Sequence, residues 1–145
     1  FFFYISLFFY SNLQTKIIIF SLLLCCVFSD VGGFIFGKIF KGPRLTKISP
    51  NKTISGAIGS IILSSFVLFV LFYFLSINFS YTIIIVAIIT SISCQIGDLI
   101  FSYLKRKAKI KDTGNFFPGH GGVLDRLDGV LVGIPFGLLG MFYLY

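Results

Sequence analysis

Ile54-Ser-Gly-Ala-Ile-Gly-Ser-Ile-Ile-Leu-Ser-Ser-Phe-Val-Leu-Phe-Val-Leu-Phe-Tyr-Phe-Leu75 contains no charged residue. Roughly 20 consecutive apolar residues are what a helix needs to cross the hydrocarbon core of a bilayer. Three further stretches come close. The first runs over about residues 17–36 and is interrupted by Asp30 and Gly32-Gly33. Another covers residues 81–101 with Asp98 near its end, and the last, roughly residues 129–145, is short for a span. Residues 1–10 read as half of a fifth. The expected fold is therefore all-α: a polytopic integral membrane protein with about four transmembrane helices plus a partial one at the N-terminus.

Composition agrees. The chain is 57% hydrophobic with a mean hydropathy of +1.00. Its charged fraction is 12%, against about 25% in soluble domains. A net charge of +7 would suggest nucleic acid in a soluble protein. In a membrane protein it follows from the enrichment of Lys and Arg in cytoplasmic loops, so no nucleic-acid partner is expected. Cys25, Cys26 and Cys94 lie inside apolar runs; their odd number and spacing fit neither a zinc site nor a disulfide framework. They read as small hydrophobes. The chain starts Phe1-Phe2-Phe3 without Met, and its first residues have no basic region or small-residue cleavage site. The expectation is one membrane domain over residues 1–145, the C-terminal part of a longer protein, with no signal peptide.

Basic residues orient the spans. Lys38, Lys41, Arg44, Lys47 and Lys52 fall between the first and second; Lys105, Arg106, Lys107, Lys109, Lys111 and Arg126 fall between the third and fourth. The alternate connections, residues 11–15 and 76–80, are uncharged, and Lys16 can snorkel at a span end. Both basic segments are thus expected on the cytoplasmic face. All five Asp residues then belong to that face: Asp30 and Asp98 at the inner ends of their spans, Asp112, Asp125 and Asp128 in the second basic segment. A carboxylate within a span costs about 2.5–3.5 kcal/mol on insertion scales. Such a residue is tolerated facing a polar cavity, a metal or a cation, which predicts one shared site.

The chemistry concentrates between Ser102 and Asp128. If the third span continues as a helix, Asp98, Ser102, Lys105 and Lys109 share one face. That row suits a metal and a phosphate side by side; the plainer alternative is a helix end in the headgroups, with Asp98 paired to Lys105. Pro118-Gly119-His120-Gly121-Gly122 can turn sharply and present successive N–H groups to an anion, with a helix start near residues 123–125 aimed at the same place. Asp125 and Asp128 lie one turn apart there. Beside a phosphate cradle they suit a divalent cation, Mg²⁺ above all, since it takes oxygen ligands and substrate phosphates. The alternative makes them helix-dipole partners or ion pairs of Arg126. His120 reads as a base, a phosphate donor or a loop strut. In the first basic segment, Ser49-Pro50 and Lys52-Thr53 offer a cap, a cation and hydroxyls to an anion. Gly56 and Gly59 read instead as a close helix crossing.

Ser102, Lys105-Arg106, Lys111-Asp112, Gly114, Pro118, His120-Gly121-Gly122, Asp125-Arg126 and Asp128 together resemble the signature of the phosphatidate cytidylyltransferase (CDP-diacylglycerol synthase) family. Gly97-Asp98-Leu99, Asp30 to Gly37 and Ser49-Pro50, Lys52-Thr53 and Gly56 resemble it too, so the likeness covers about residues 29–135. Ile54, Ser55 and Phe34 depart from it, standing where an aromatic, an acidic residue and Tyr are frequent. The resemblance implies a membrane enzyme, a homodimer in a bacterial-type inner or plasma membrane. With Mg²⁺ it joins CTP to phosphatidic acid, giving CDP-diacylglycerol and pyrophosphate in phospholipid biosynthesis.

On that reading Asp98 and Asp125 are the first metal ligands, with Asp128 and Asp112 as further ones, and Lys105 joins Asp98, Asp125 and Asp128 as catalytic. Ser102, Arg106, Lys111, His120, Gly121, Gly122 and Arg126 contact substrate, the basic side chains neutralising phosphates. Asp30, Ser49, Lys52 and Thr53 complete the cavity and meet the lipid phosphate. The chemistry is compatible: both reactants are anionic, so charge neutralisation and alignment suffice, and no protein nucleophile is needed. The competing readings are another CTP-dependent lipid transferase or lipid kinase, an inactive fragment, and a channel or transporter. The last predicts charges near the bilayer midplane and an internal repeat, neither of which the sequence contains.

Overall fold

A computed structural model describes residues 13–46, 49, 52–75, 81–109 and 124–144. Four helices account for nearly all of them: α1 Leu13–Phe40, α2 Ile54–Phe74, α3 Tyr81–Lys107 and α4 Leu124–Leu144. Three are long and apolar enough to cross a membrane, over Thr15–Phe40, Ile54–Phe74 and Tyr81–Lys107, while α4 carries a shorter apolar run, Leu127–Tyr143. At 1.5 Å rise per residue, even the shortest of the three matches a bilayer core of about 30 Å. The protein is a polytopic helical membrane protein.

The helix ends explain where the spans stop. Lys41 closes α1 in a left-handed conformation, φ 42°, with its N–H on the Gly37 carbonyl at 3.2 Å, and Pro43 follows where a helix cannot continue. Thr53 caps α2, its hydroxyl accepting the Gly56 N–H at 3.1 Å. The α1 and α3 helices run longer than hydropathy alone marks out, because Lys38 and Lys105–Lys107 extend their last turns and favour the negative helix end. Lys109 falls outside the expected face: α3 ends at Lys107, and Lys109 takes a left-handed conformation, φ 56°. Within α4, Pro135 has no N–H for the Leu131 carbonyl, an interruption membrane helices tolerate.

Side chains are sorted by size more than by polarity. Large apolar residues such as Phe34, Phe66, Tyr73 and Phe142 face outward, whereas Ser29, Ser60, Ser64, Thr90, Ser91 and Cys94 are buried. Lipid tails are as apolar as Leu, so helices associate through small residues that allow close packing. Several hydroxyls return to their own helix: Ser21 Oγ donates to Ile18 O at 2.7 Å, Ser64 Oγ to Ile61 O at 3.1 Å and Thr90 Oγ1 to Val86 O at 2.7 Å. Two tight pairs result, α1 with α2 and α3 with α4. In the first, a Cβ on Gly56 would lie 2.6 Å from the Gly33 carbonyl oxygen, and one on Gly59 would collide with Phe36. Gly56 and Gly59 are thus crossing residues, as expected. In the second pair, a Cβ on Gly137 would lie 2.6 Å from Thr90 Oγ1, and one on Gly129 2.5 Å from Cys94 Sγ. All three cysteines are buried and free.

Candidate functional site

The polar side chains of the bundle gather at one end, where α1 and α3 finish and α2 and α4 begin. Residues 41–46 fold back against 52–54: Leu45 N–H donates to Lys52 O at 2.7 Å, Ile54 N–H to Pro43 O at 3.0 Å, and Arg44 bridges Thr53 in antiparallel fashion. Ser49 shapes the turn, accepting the Lys52 N–H at 3.1 Å and donating its own N–H to Thr46 Oγ1 at 3.3 Å. This pinched loop delivers Lys52 across the bundle, where Nζ meets Asp98 Oδ2 of α3 at 2.8 Å. Beside it, Lys105 Nζ meets Asp128 Oδ2 of α4 at 2.7 Å.

The two pairs differ in solvation. Lys52 and Asp98 side chains are 30% and 28% exposed, while those of Lys105 and Asp128 are 15% and 4% exposed. Lys105 therefore does not pair with Asp98, as the plainer sequence reading allowed. Two helical turns separate those residues; Asp98 pairs instead with Lys52 of the loop before α2, and Lys105 with Asp128 of α4. Glycines bring α3 and α4 close at this level: a Cβ on Gly97 would lie 2.9 Å from the Asp128 carbonyl oxygen, and one on Gly129 3.2 Å from Asp98 Oδ1.

A cavity of about 240 Å³ opens between α1, α2 and α3, lined by Ser29, Asp30, Gly33, Phe34, Leu45, Lys52, Thr53, Gly56, Ala57, Ser60, Gln95 and Asp98. It unites Asp30, Lys52, Thr53 and Asp98, four residues singled out by the sequence from three separate segments. Asp30 Oδ1 also receives a weak thiol contact from Cys94 Sγ at 3.8 Å. Ser102 lies partly buried on α3 between Asp98 and Lys105, and Arg106 is exposed beyond them. Ser49 acts on the turn and does not line the cavity. Asp125 and Arg126 occupy the first turn of α4; their side chains, and Lys111, Asp112, His120, Gly121 and Gly122 entirely, lie outside the described residues. Among the described residues no three His, Cys, Asp or Glu side chains converge as a metal cluster.

Sequence reasoning passed over Gln95 and Ser60. Gln95 Nε2 donates to Ser60 Oγ at 2.7 Å and to Ala57 O at 3.3 Å. The available signal was a lone amide in an apolar span, one turn before Asp98. Ser29 and Ser91, whose hydroxyls meet at 2.8 Å, likewise tie α1 to α3 at the cavity wall.

Fold and site together define a polytopic helical membrane protein with a paired acid–base site at one end of its bundle. The sequence profile of the cytidylyltransferase family matches residues 1–144, and the chain belongs to that family. It is 45% identical over 127 residues to the phosphatidate cytidylyltransferase of Helicobacter pylori (strain ATCC 700392 / 26695), covering 83% of this chain and 44% of that protein. The phosphatidate cytidylyltransferase of Staphylococcus haemolyticus (strain JCSC1435) is 43% identical over 109 residues, 74% of this chain and 42% of the relative. That of Mycobacterium leprae (strain TN) is 40% identical over 114 residues, 78% and 36%. The chain thus spans less than half the length of these relatives.

Proposed function

We propose that this chain carries the reacting centre of a phosphatidate cytidylyltransferase, which transfers the cytidylyl group of CTP to phosphatidic acid and yields CDP-diacylglycerol and pyrophosphate. The observation that carries the reading is the cavity in which Asp30, Lys52 and Asp98 meet, with Lys105–Asp128 beside it, at one end of a membrane-spanning bundle. Lipid phosphates lie at that level of a bilayer, and basic segments favour the cytoplasmic side.

In the reaction an oxygen of the lipid phosphate forms a bond to the α-phosphorus of CTP. The bond from that phosphorus to the bridging oxygen of the β-phosphate breaks, and its electron pair leaves with pyrophosphate. Lys52 and Lys105 counter the phosphate charge, and the site aligns two mutually repelling anions. Thr53 keeps its hydroxyl on the α2 N-terminus and so holds Lys52 in place. The donor set suits Mg²⁺: Asp30 and Asp98 offer only oxygens to one cavity, and Asp98 already stabilises a cation, the Lys52 ammonium. Asp98 would hold the ion first, with Asp125, Asp128 and Asp112 as further ligands, and the bound ion supplies shielding of phosphate charge.

The test is Asp98→Ala in the full-length protein, assayed for CDP-diacylglycerol formation from labelled CTP and phosphatidic acid. Product should fall by at least about a hundredfold, the scale of losing one main electrostatic stabiliser; near-normal turnover would refute the assignment. Label identity separates the neighbouring reading, since γ-phosphate transfer would mark a lipid kinase.

A further inference from the structure

We infer that Gln95 reads the nucleobase, its amide oxygen accepting a hydrogen bond from the exocyclic amine of cytosine and so selecting CTP over UTP. This rests on the cytidylyl reading above and adds to it a residue that selects the base.

The direction of the local hydrogen bonds carries the inference. The Ala57 carbonyl oxygen can only accept, so the Gln95 atom 3.3 Å from it is the amide nitrogen. Ser60 Oγ donates its own proton to the same carbonyl at 2.9 Å, and therefore accepts from Gln95 Nε2 at 2.7 Å. Both amide hydrogens and the serine proton are committed. Reversing the amide would set Oε1 against the carbonyl oxygen and against a serine lone pair. Gln95 is thereby locked with Oε1 as its acceptor group, on the wall of the cavity that also holds Asp98 and Lys52.

An acceptor held in one orientation favours ligand groups that donate. Cytosine presents an amine where uracil presents a carbonyl oxygen, so one base is bound and the other repelled. Spacing along α3 agrees. Gln95 lies one turn below Asp98, about 4.5 Å along the helix axis, which sets a base below phosphates held at the Lys52–Asp98 level. The cavity, about 240 Å³, far exceeds the ~15 Å³ needed for one water, and Phe34 offers an aromatic face along its lining.

The experiment compares kcat/KM for CTP and UTP in the full-length protein, wild type against Gln95→Leu and the unbranched Gln95→Met. The ratio is taken within each preparation, so the fraction correctly folded cancels. The wild type should prefer CTP, and both variants should narrow that preference by about tenfold or more, the scale of one buried hydrogen bond with its unsatisfied partner. Ser60→Ala, which releases the amide to turn, should narrow it in part. An unchanged ratio, or equal loss with both nucleotides, would overturn the role of Gln95 while leaving cytidylyl transfer standing. Absence of CTP turnover in the wild type would overturn both.

Discussion

Removing the ammonium of Lys105 should cost far more stability than removing that of Lys52, although the two ion pairs have nearly equal lengths, 2.7 and 2.8 Å. Burial separates them. The Asp128 side chain is 4% exposed, so Lys105→Met leaves a carboxylate out of water without its 2.7 Å partner, a change that costs about 3–5 kcal/mol for buried pairs. Asp98 is 28% exposed and its lysine 30%; water screens that pair, and Lys52→Met should cost no more than about 1 kcal/mol. The measurement is reversible unfolding of the purified protein by SDS titration in mixed micelles. A third variant, Lys105→Met with Asp128→Leu, removes both charges and should recover most of the loss, because the penalty lies in keeping the buried carboxylate after its ion pair with Lys105 is lost. Equal destabilisation by the two lysine substitutions, or a double variant no better than Lys105→Met, would show that burial does not set the cost.

Four further expectations concern packing and cofactor. Gly129→Ala would drive a Cβ to 2.5 Å from Cys94 Sγ and 3.2 Å from Asp98 Oδ1; it should lower activity more than stability, the latter by about 1–3 kcal/mol, as read by turnover and SDS unfolding on one preparation. Gly56→Ala meets the Gly33 carbonyl at 2.6 Å and should be at least as destabilising, since the obstacle is backbone and cannot rotate away. Cys25, Cys26 and Cys94 are buried and should resist a water-soluble maleimide in mild detergent and react after SDS unfolding, as followed by intact mass. Chelation should abolish CDP-diacylglycerol formation and added Mg²⁺ should restore it, with CTP turnover as the readout.

The spans were legible because bilayer thickness imposes a length on them, and the helices differ from the hydropathy reading chiefly by the charged turns at their ends. Asp30, Lys52 and Asp98 were legible for a different reason: a charge in or beside a span is costly, and cost points to use. Pairing was not legible. That Lys52 goes to Asp98 and Lys105 to Asp128 depends on which helix crosses which, and therefore on Gly97, Gly129, Gly33 and Gly56, whose spacing names no partner. Gln95 escaped notice because a neutral amide in a span is cheap once its hydrogens find a carbonyl, and that carbonyl belongs to another helix.

The outward placement of the bulky side chains has a consequence for how the protein can change over generations. Phe66, Tyr73, Ile62 and Phe142 face outward, and a lipid neighbour asks only that they be apolar, so many spellings of those positions serve equally. Gly56, Gly97, Gly129 and Ser60 meet neighbours that leave no room for another atom or a hydrogen bond that needs that hydroxyl. At the helix crossings, then, the smallest side chains are the most constrained. A survey of tolerated substitutions should find the outward-facing Phe66, Tyr73 and Phe142 exchanged for other apolar residues far more freely than the glycines of the crossings.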